Sequence, residues 1–166
     1  MRTYQGDFVI DLPRSSVWAF VTDPQKVGPC IPDLLQLDVE SETRFRSVVR
    51  VGVGPVRGKF NLNNEMTVTE PEVSAEISIR GGGMGSRVDM KAYMTLTDTE
   101  NGGTKLNWRC DAAISGPIAS LGGRLIDNEA KKITEKMFTN LREALSSVSD
   151  EVAAGSADTA ESESTD

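Results

Sequence analysis

The chain has 166 residues, 38% hydrophobic and 26% charged, the make-up of one globular domain long enough to bury a core. Its net charge of −7 is unevenly spread: six of the 25 acidic residues follow Ser149 with no basic residue among them, leaving 19 acids against 18 bases before it. A near-neutral body offers no clustered basic face for nucleic acid, and the absence of histidine removes the commonest general base and metal ligand.

In chain order, Gly6, Phe8 and Ile10 keep step in a first strand over Thr3 to Leu12. Pro13 then suits a helix start, with Val17, Phe20 and Val21 as its apolar stripe. Asp23-Pro24 reads as a cap followed by an N1 proline, opening a second short helix. Leu34 to Val39 supplies another strand. Five alternating segments follow, their apolar faces carried by Phe45 to Val53, Val56 to Val68, Val73 to Ile79, Val88 to Leu96 and Leu106 to Ile114. Period two with one wet face predicts antiparallel strands. Gly54-Pro55, Glu70-Pro71 and Asn101-Gly102-Gly103 supply the turn chemistry. "RGGGMGS", Arg80 to Ser86, reads as a long hairpin whose tip, Met84, can act as a flap. It is no phosphate loop, because a strand follows rather than a helix.

From Ile118 the period becomes helical, with Leu121, Leu125, Ile126, Ala130, Ile133, Met137, Leu141 and Leu145 on one face. The pattern predicts a helix of roughly 28 residues, about 42 Å long, with Gly122 and Gly123 inside it to leave room for a ligand. Residues 149–166 are too polar to pack and read as an acidic disordered tail behind a domain at 1–148. The fold class is therefore α+β: a curved antiparallel sheet of about seven strands gripping a long C-terminal helix, with two short helices after the first strand.

A sheet curled round a single helix leaves a gap, and the expected cavity is lined by Val49, Val51, Phe60, Leu62, Asn64, Met66, Ile77, Met84, Met90, Met94, Trp108, Cys110, Leu121, Gly122 and Leu125. No carboxylate, lysine or arginine falls on that face, so the cavity is expected to bind rather than react. Its ligand is mostly apolar, fixed by one or two hydrogen bonds. Asn64 is the most informative polar exception: a buried amide must find partners, in a ligand or in a neighbouring strand. Cys30 and Cys110 form no disulfide framework. No metal site and no catalytic residue is expected. With no stretch near the roughly 20 apolar residues that span a bilayer and no apolar signal core at the N-terminus, the expected location is cytoplasmic.

The ordered set "FVIDLPRSSVWAFVTDPQKVGPCIPDL", "VRVGVGPVRGKFNLNNEMTV", "IRGGGMGS", "GGTKLNW" and "SGPIASLGGRLIDNEAKKITEKMFTNL" resembles the G-subunit family of carbon monoxide dehydrogenase, within the START-like, helix-grip superfamily. The resemblance implies a non-catalytic accessory protein for a molybdenum-containing carbon monoxide dehydrogenase or related hydroxylase. It also implies an exchangeable quinone in the cavity, carrying reducing equivalents to the respiratory chain, with no covalently bound cofactor. Two features depart from the family pattern. Asp33 stands where a glycine is common after "CIP", and an acidic tail replaces the membrane anchor of some members, so a soluble shuttle or peripheral membrane contact is expected. The superfamily also contains polyketide cyclases and aromatases. A cyclase-like enzyme and a pocket-free assembly partner are the alternative readings.

Overall fold

The alternating segments form one sheet in the computed structural model, which describes residues 1–165, with side chains through Val148. The expectation for 149–166 falls outside the residues whose side chains are described. Seven antiparallel strands, β1 (Arg2–Ile10), β2 (Leu34–Val39), β3 (Arg44–Val53), β4 (Val56–Glu70), β5 (Ser74–Gly83), β6 (Ser86–Asp98) and β7 (Thr104–Ser115), lie in the order β1-β7-β6-β5-β4-β3-β2. Helices α1 (Arg14–Val21) and α2 (Pro24–Val27) follow β1, and α3 (Gly123–Thr165) crosses the concave face. Asp23 caps α2 by accepting from the Gln25 N–H at 3.0 Å. Asp33 adopts φ 56°, a left-handed conformation open to glycine and tolerated by Asp, and its carboxylate lies 3.7 Å from Lys136.

Two stretches differ from the expectation. The "RGGGMGS" hairpin is tight: Gly83 pairs with Ser86 across a two-residue turn in which Met84 and Gly85 both have positive φ. Gly82 and Gly83 lie within β5, where an added Cβ would come 2.1 Å from the Ser86 carbonyl and 2.0 Å from that of Lys59. The glycines therefore serve close backbone approach, and Met84 packs against Gly58 instead of swinging free.

The long helix also starts later than its apolar period suggests. Ala119–Leu121 is a single 3-10 turn, and Gly122, at φ 97° and ψ 153°, breaks the chain before α3 begins at Gly123. That conformation is essentially confined to glycine. Gly122 is thus a required hinge between two turns, and alanine there would strain the backbone instead of improving a helix.

Three glycine-bearing stretches far apart in sequence meet at one end of the sheet. The Ile118 N–H donates to Ser86 Oγ at 3.0 Å, and an added Cβ on Gly116 would sit 2.4 Å from the Gly85 carbonyl. Met84 covers Gly58 of β4 at the same end.

Apolar burial separates into two clusters. One joins Val49, Val53, Phe60, Ile118 and Ile126 at the glycine-rich end. The other joins Phe8, Ile10, Leu12, Val17, Phe20, Leu96, Leu106, Leu141 and Leu145 beneath α1 and the later part of α3. Helix α3 is therefore pinned to the sheet at two places, and its stretch between them is less well covered.

Candidate functional site

Between the two clusters the concave face is left partly open. Leu62, Ile77, Ile79, Met90, Ala92 and Cys110 all point toward α3 by register, yet each is only half-buried. The facing part of the helix repeats the pattern. Ile133 shares a helical face with Ile126 and Met137 but is 44% exposed, against 8% for Ile126. Apolar side chains turned inward and still wet define a trough whose floor is sheet and whose roof is the middle of α3.

The chemistry of that floor is narrow. Its one titratable group is the Cys110 thiol, whose pKa is raised by burial and by the neighbouring Asp111, so it stays protonated. Asn64 is 5% exposed, and its amide is already used within the sheet: Nδ2 donates to Ser47 Oγ at 3.1 Å, to the Phe45 carbonyl at 3.3 Å and to the Leu62 carbonyl at 3.4 Å. The neighbouring-strand alternative is the one realised, and Asn64 bolts β4 to β3.

The other expected lining residues sort by burial. Ile77, Met90 and Cys110 are on the half-open strip, and Leu62, also half-buried, packs against the first cluster at its border. Val49, Phe60 and Met66 are buried in packed core, while Val51, Met84 and Leu121 pack against the first cluster. Met94 and Trp108 pack against the second. Leu125 is 42% exposed and Gly122 lies at the surface, so neither forms the floor. Among the described residues, no group of three His, Cys, Asp or Glu side chains could hold a metal ion.

A surface cleft adjoins the strip beside the edge strand β1, where Tyr4 pairs with Cys110. This cleft, of about 690 Å³, separates the start of β1 from α3, bordered by Tyr4, Trp108, Asp127, Ala130 and Thr134. A polar network that sequence reasoning missed closes one side of it. Arg2 donates from Nε to Asp127 Oδ1 at 2.6 Å and from its terminal nitrogen to Oδ2, and Tyr4 donates its hydroxyl to Oδ1 at 2.8 Å. Arg2 and Tyr4 occupy the inward-facing positions that precede Gly6, Phe8 and Ile10, so extending the strand's alternation backward would have found them. Hydrogen bonds from Arg2 and then Tyr4 lower the Asp127 pKa, and the same network raises that of Arg2. Burial first, then the bond to Asp127, raises that of Tyr4 and keeps the phenol protonated. Each of these three groups is thereby satisfied by the others, while Lys131 and Glu135 also border the cleft.

This network yields a pH signature. A carboxylate whose folded-state pKa is depressed contributes stability above its ordinary value of 3.8, and that contribution is lost as pH falls through the folded value. Asp127→Asn should therefore lower the melting temperature at pH 7, and the gap to wild type should close below pH 3.8, as followed by thermal melts across pH. Arg2 and Asp127 are partly exposed, so the shift is expected to be modest.

A curved sheet gripping a C-terminal helix over an apolar trough is the START-like, helix-grip class. The solved structures agree on the fold. A conserved protein from Geobacillus kaustophilus is 21% identical with a TM-score of 0.80, over 88% of this chain and 96% of that one. A START superfamily protein from Mycobacterium smegmatis is 10% identical with a TM-score of 0.65, over 88% and 98%. The Zhui aromatase/cyclase from Streptomyces sp. R1128 is 12% identical with a TM-score of 0.63, over 89% and 95%. No curated protein matches the chain by sequence. The CoxG family, the G subunit of carbon monoxide dehydrogenase, matches residues 6–146, and the chain belongs to that family.

Proposed function

We propose that the protein is a non-catalytic accessory protein that binds a lipophilic molecule, of the prenylated quinone class, in the trough between its sheet and α3. The observation that carries this reading is the half-open strip of Leu62, Ile77, Ile79, Met90, Ala92 and Cys110, inward-facing and without an ionised group. Apolar side chains left wet in this way favour a ligand that covers them, because each Å² removed from water contributes about 25 cal/mol. The family's description supports a partner of the carbon monoxide dehydrogenase type, a molybdenum hydroxylase. The ligand would then pass reducing equivalents between that enzyme and the respiratory chain. Contact with the bilayer in this reading is peripheral; among the described residues no helix is long and apolar enough to cross a membrane.

Mass spectrometry of the organic extract from natively purified protein tests the binding. A stoichiometric quinone or similar lipophile is the expected result. An empty extract, together with a stable complex with the partner enzyme, would favour a pure assembly role.

The convergence of Arg2, Tyr4 and Asp127 at the cleft favours a second reading, a cyclase-like enzyme. Tyr93 takes no part in it: it lies on the convex face beneath Arg109, 4.6 Å from its ring centroid. Turnover of a polyketide-type substrate that disappears in Tyr4→Phe would decide for the enzyme. The mutual satisfaction of the three groups argues for the accessory role.

A further inference from the structure

The indole nitrogen of Trp108 is the buried side-chain nitrogen or oxygen that has no hydrogen-bond partner among the described residues. An indole N–H can donate but cannot accept, and buried donors without partners are rare enough to need a cause. What the N–H needs is an acceptor, and no oxygen of the described residues accepts from it.

The position of the ring is informative. Trp108 borders the cleft between β1 and α3 while also packing against the second apolar cluster, so it stands where trough meets mouth. Gly6 of β1 lets it lie there: a Cβ on Gly6 would be 3.1 Å from Nε1. Phe138 of α3 flanks it at 5.7 Å with the rings tilted by 55°, and Phe138 in turn stacks on Phe8 at 4.8 Å. Packing from both sides holds the indole in place, with its one polar atom unused.

We infer that Trp108 is the polar anchor of the ligand: its Nε1–H donates to an acceptor oxygen, a carbonyl, on an otherwise apolar molecule whose polar end enters between β1 and α3. This rests on the reading of the trough as a lipophile site. It adds the orientation of the ligand, with carbonyl end at the β1 cleft and apolar end along the strip toward Met90 and Leu62. It also adds a selection rule, since a molecule offering only donors or only hydrocarbon at that end leaves the N–H unpaired.

Calorimetric titration of delipidated protein with two probes tests it: a 1,4-naphthoquinone with a short prenyl tail, and the matched prenylnaphthalene that lacks both carbonyl oxygens. Wild type is expected to prefer the quinone. Trp108→Phe should weaken quinone binding about tenfold, the loss of one buried hydrogen bond, and leave the hydrocarbon's affinity unchanged. Since Trp108 is unpaired in the free protein, this variant should lose no hydrogen bond on folding. Should Trp108→Phe fold poorly, NMR on the wild type reads the same point: quinone should shift the Trp108 indole N–H downfield, and the hydrocarbon should not. Equal affinity for both probes with no indole shift would overturn the anchor while leaving the lipophile site standing. Failure of both probes to bind wild type would overturn the lipophile site and the anchor with it.

Discussion

Replacing Gly116 by alanine is expected to destabilise the protein by about 3 kcal/mol, through backbone strain combined with a steric clash. Gly116 has φ 90°, and a Cβ there would lie 2.4 Å from the Gly85 carbonyl oxygen and 2.7 Å from Ser86 Cα. Neither neighbour is a flexible side-chain end, so relief requires moving the β5–β6 turn. That turn is fixed in its own right by the Ile118 N–H bond to Ser86 Oγ and by Met84 against Gly58. Chemical denaturation should show the loss. Gly102→Ala is a useful contrast: it also has positive φ, at 80°, but no atom lies within 4 Å of its added Cβ. It should cost about 1 kcal/mol, the conformational penalty alone. Equal effects at the two sites would mean that the glycine-rich node is not tightly packed.

The second large effect separates the ends of α3 from its middle. Leu145 is 2% exposed and sits in the cluster with Phe8, Leu96 and Leu106. Leu145→Ala should cost about 3 kcal/mol, the usual range for emptying a buried leucine site. Ile133 is apolar and on the inward face, yet 44% exposed. Ile133→Ala should cost less than about 1 kcal/mol in the free protein, because little of its surface is removed from water. Added lipophile should widen the difference between wild type and Ile133→Ala, as the ligand covers the residue. A helix packed evenly along its length would give similar losses at both positions.

Much of this arrangement was legible in the sequence because alternation is a strong signal. Phe45, Ser47, Val49 and Val53 read as one face and are buried as one face, and the same holds for Phe60, Asn64 and Met66. Gly54-Pro55, Glu70-Pro71 and Asn101-Gly102-Gly103 placed three of the hairpins. The start of α3 was less legible for a definite reason: Leu121, Leu125 and Ile126 keep helical spacing through Gly122, and spacing is blind to the φ of the residue between them. The triple glycine suggested a flexible loop because composition does not reveal how closely two backbones approach.

The site divides similarly. Its apolar, uncharged floor followed from the inward-facing residues, whereas its mouth did not. Arg2 and Asp127 are far apart in the chain, and only the pairing of β1 with β7 and the crossing of α3 bring them together. Nor could periodicity tell which inward residues stay half-open, since that depends on how far the middle of α3 stands from the sheet. Asn64 stood out because a buried amide is conspicuous among apolar neighbours. Trp108 passed as ordinary core because its one polar atom is noticed only when its neighbours are known.

If the strip between the two clusters is a ligand site, filling its floor must abolish binding without unfolding the protein. An equilibrium titration of delipidated protein with a prenylated quinone, run beside Ala92→Phe, measures this, because the substitution places a ring on the floor of the trough. One-site saturation is expected for the wild type, with its loss in Ala92→Phe and retained thermal stability of that variant. Absence of saturation in the wild type, or undiminished binding by Ala92→Phe, would contradict a ligand site in the trough.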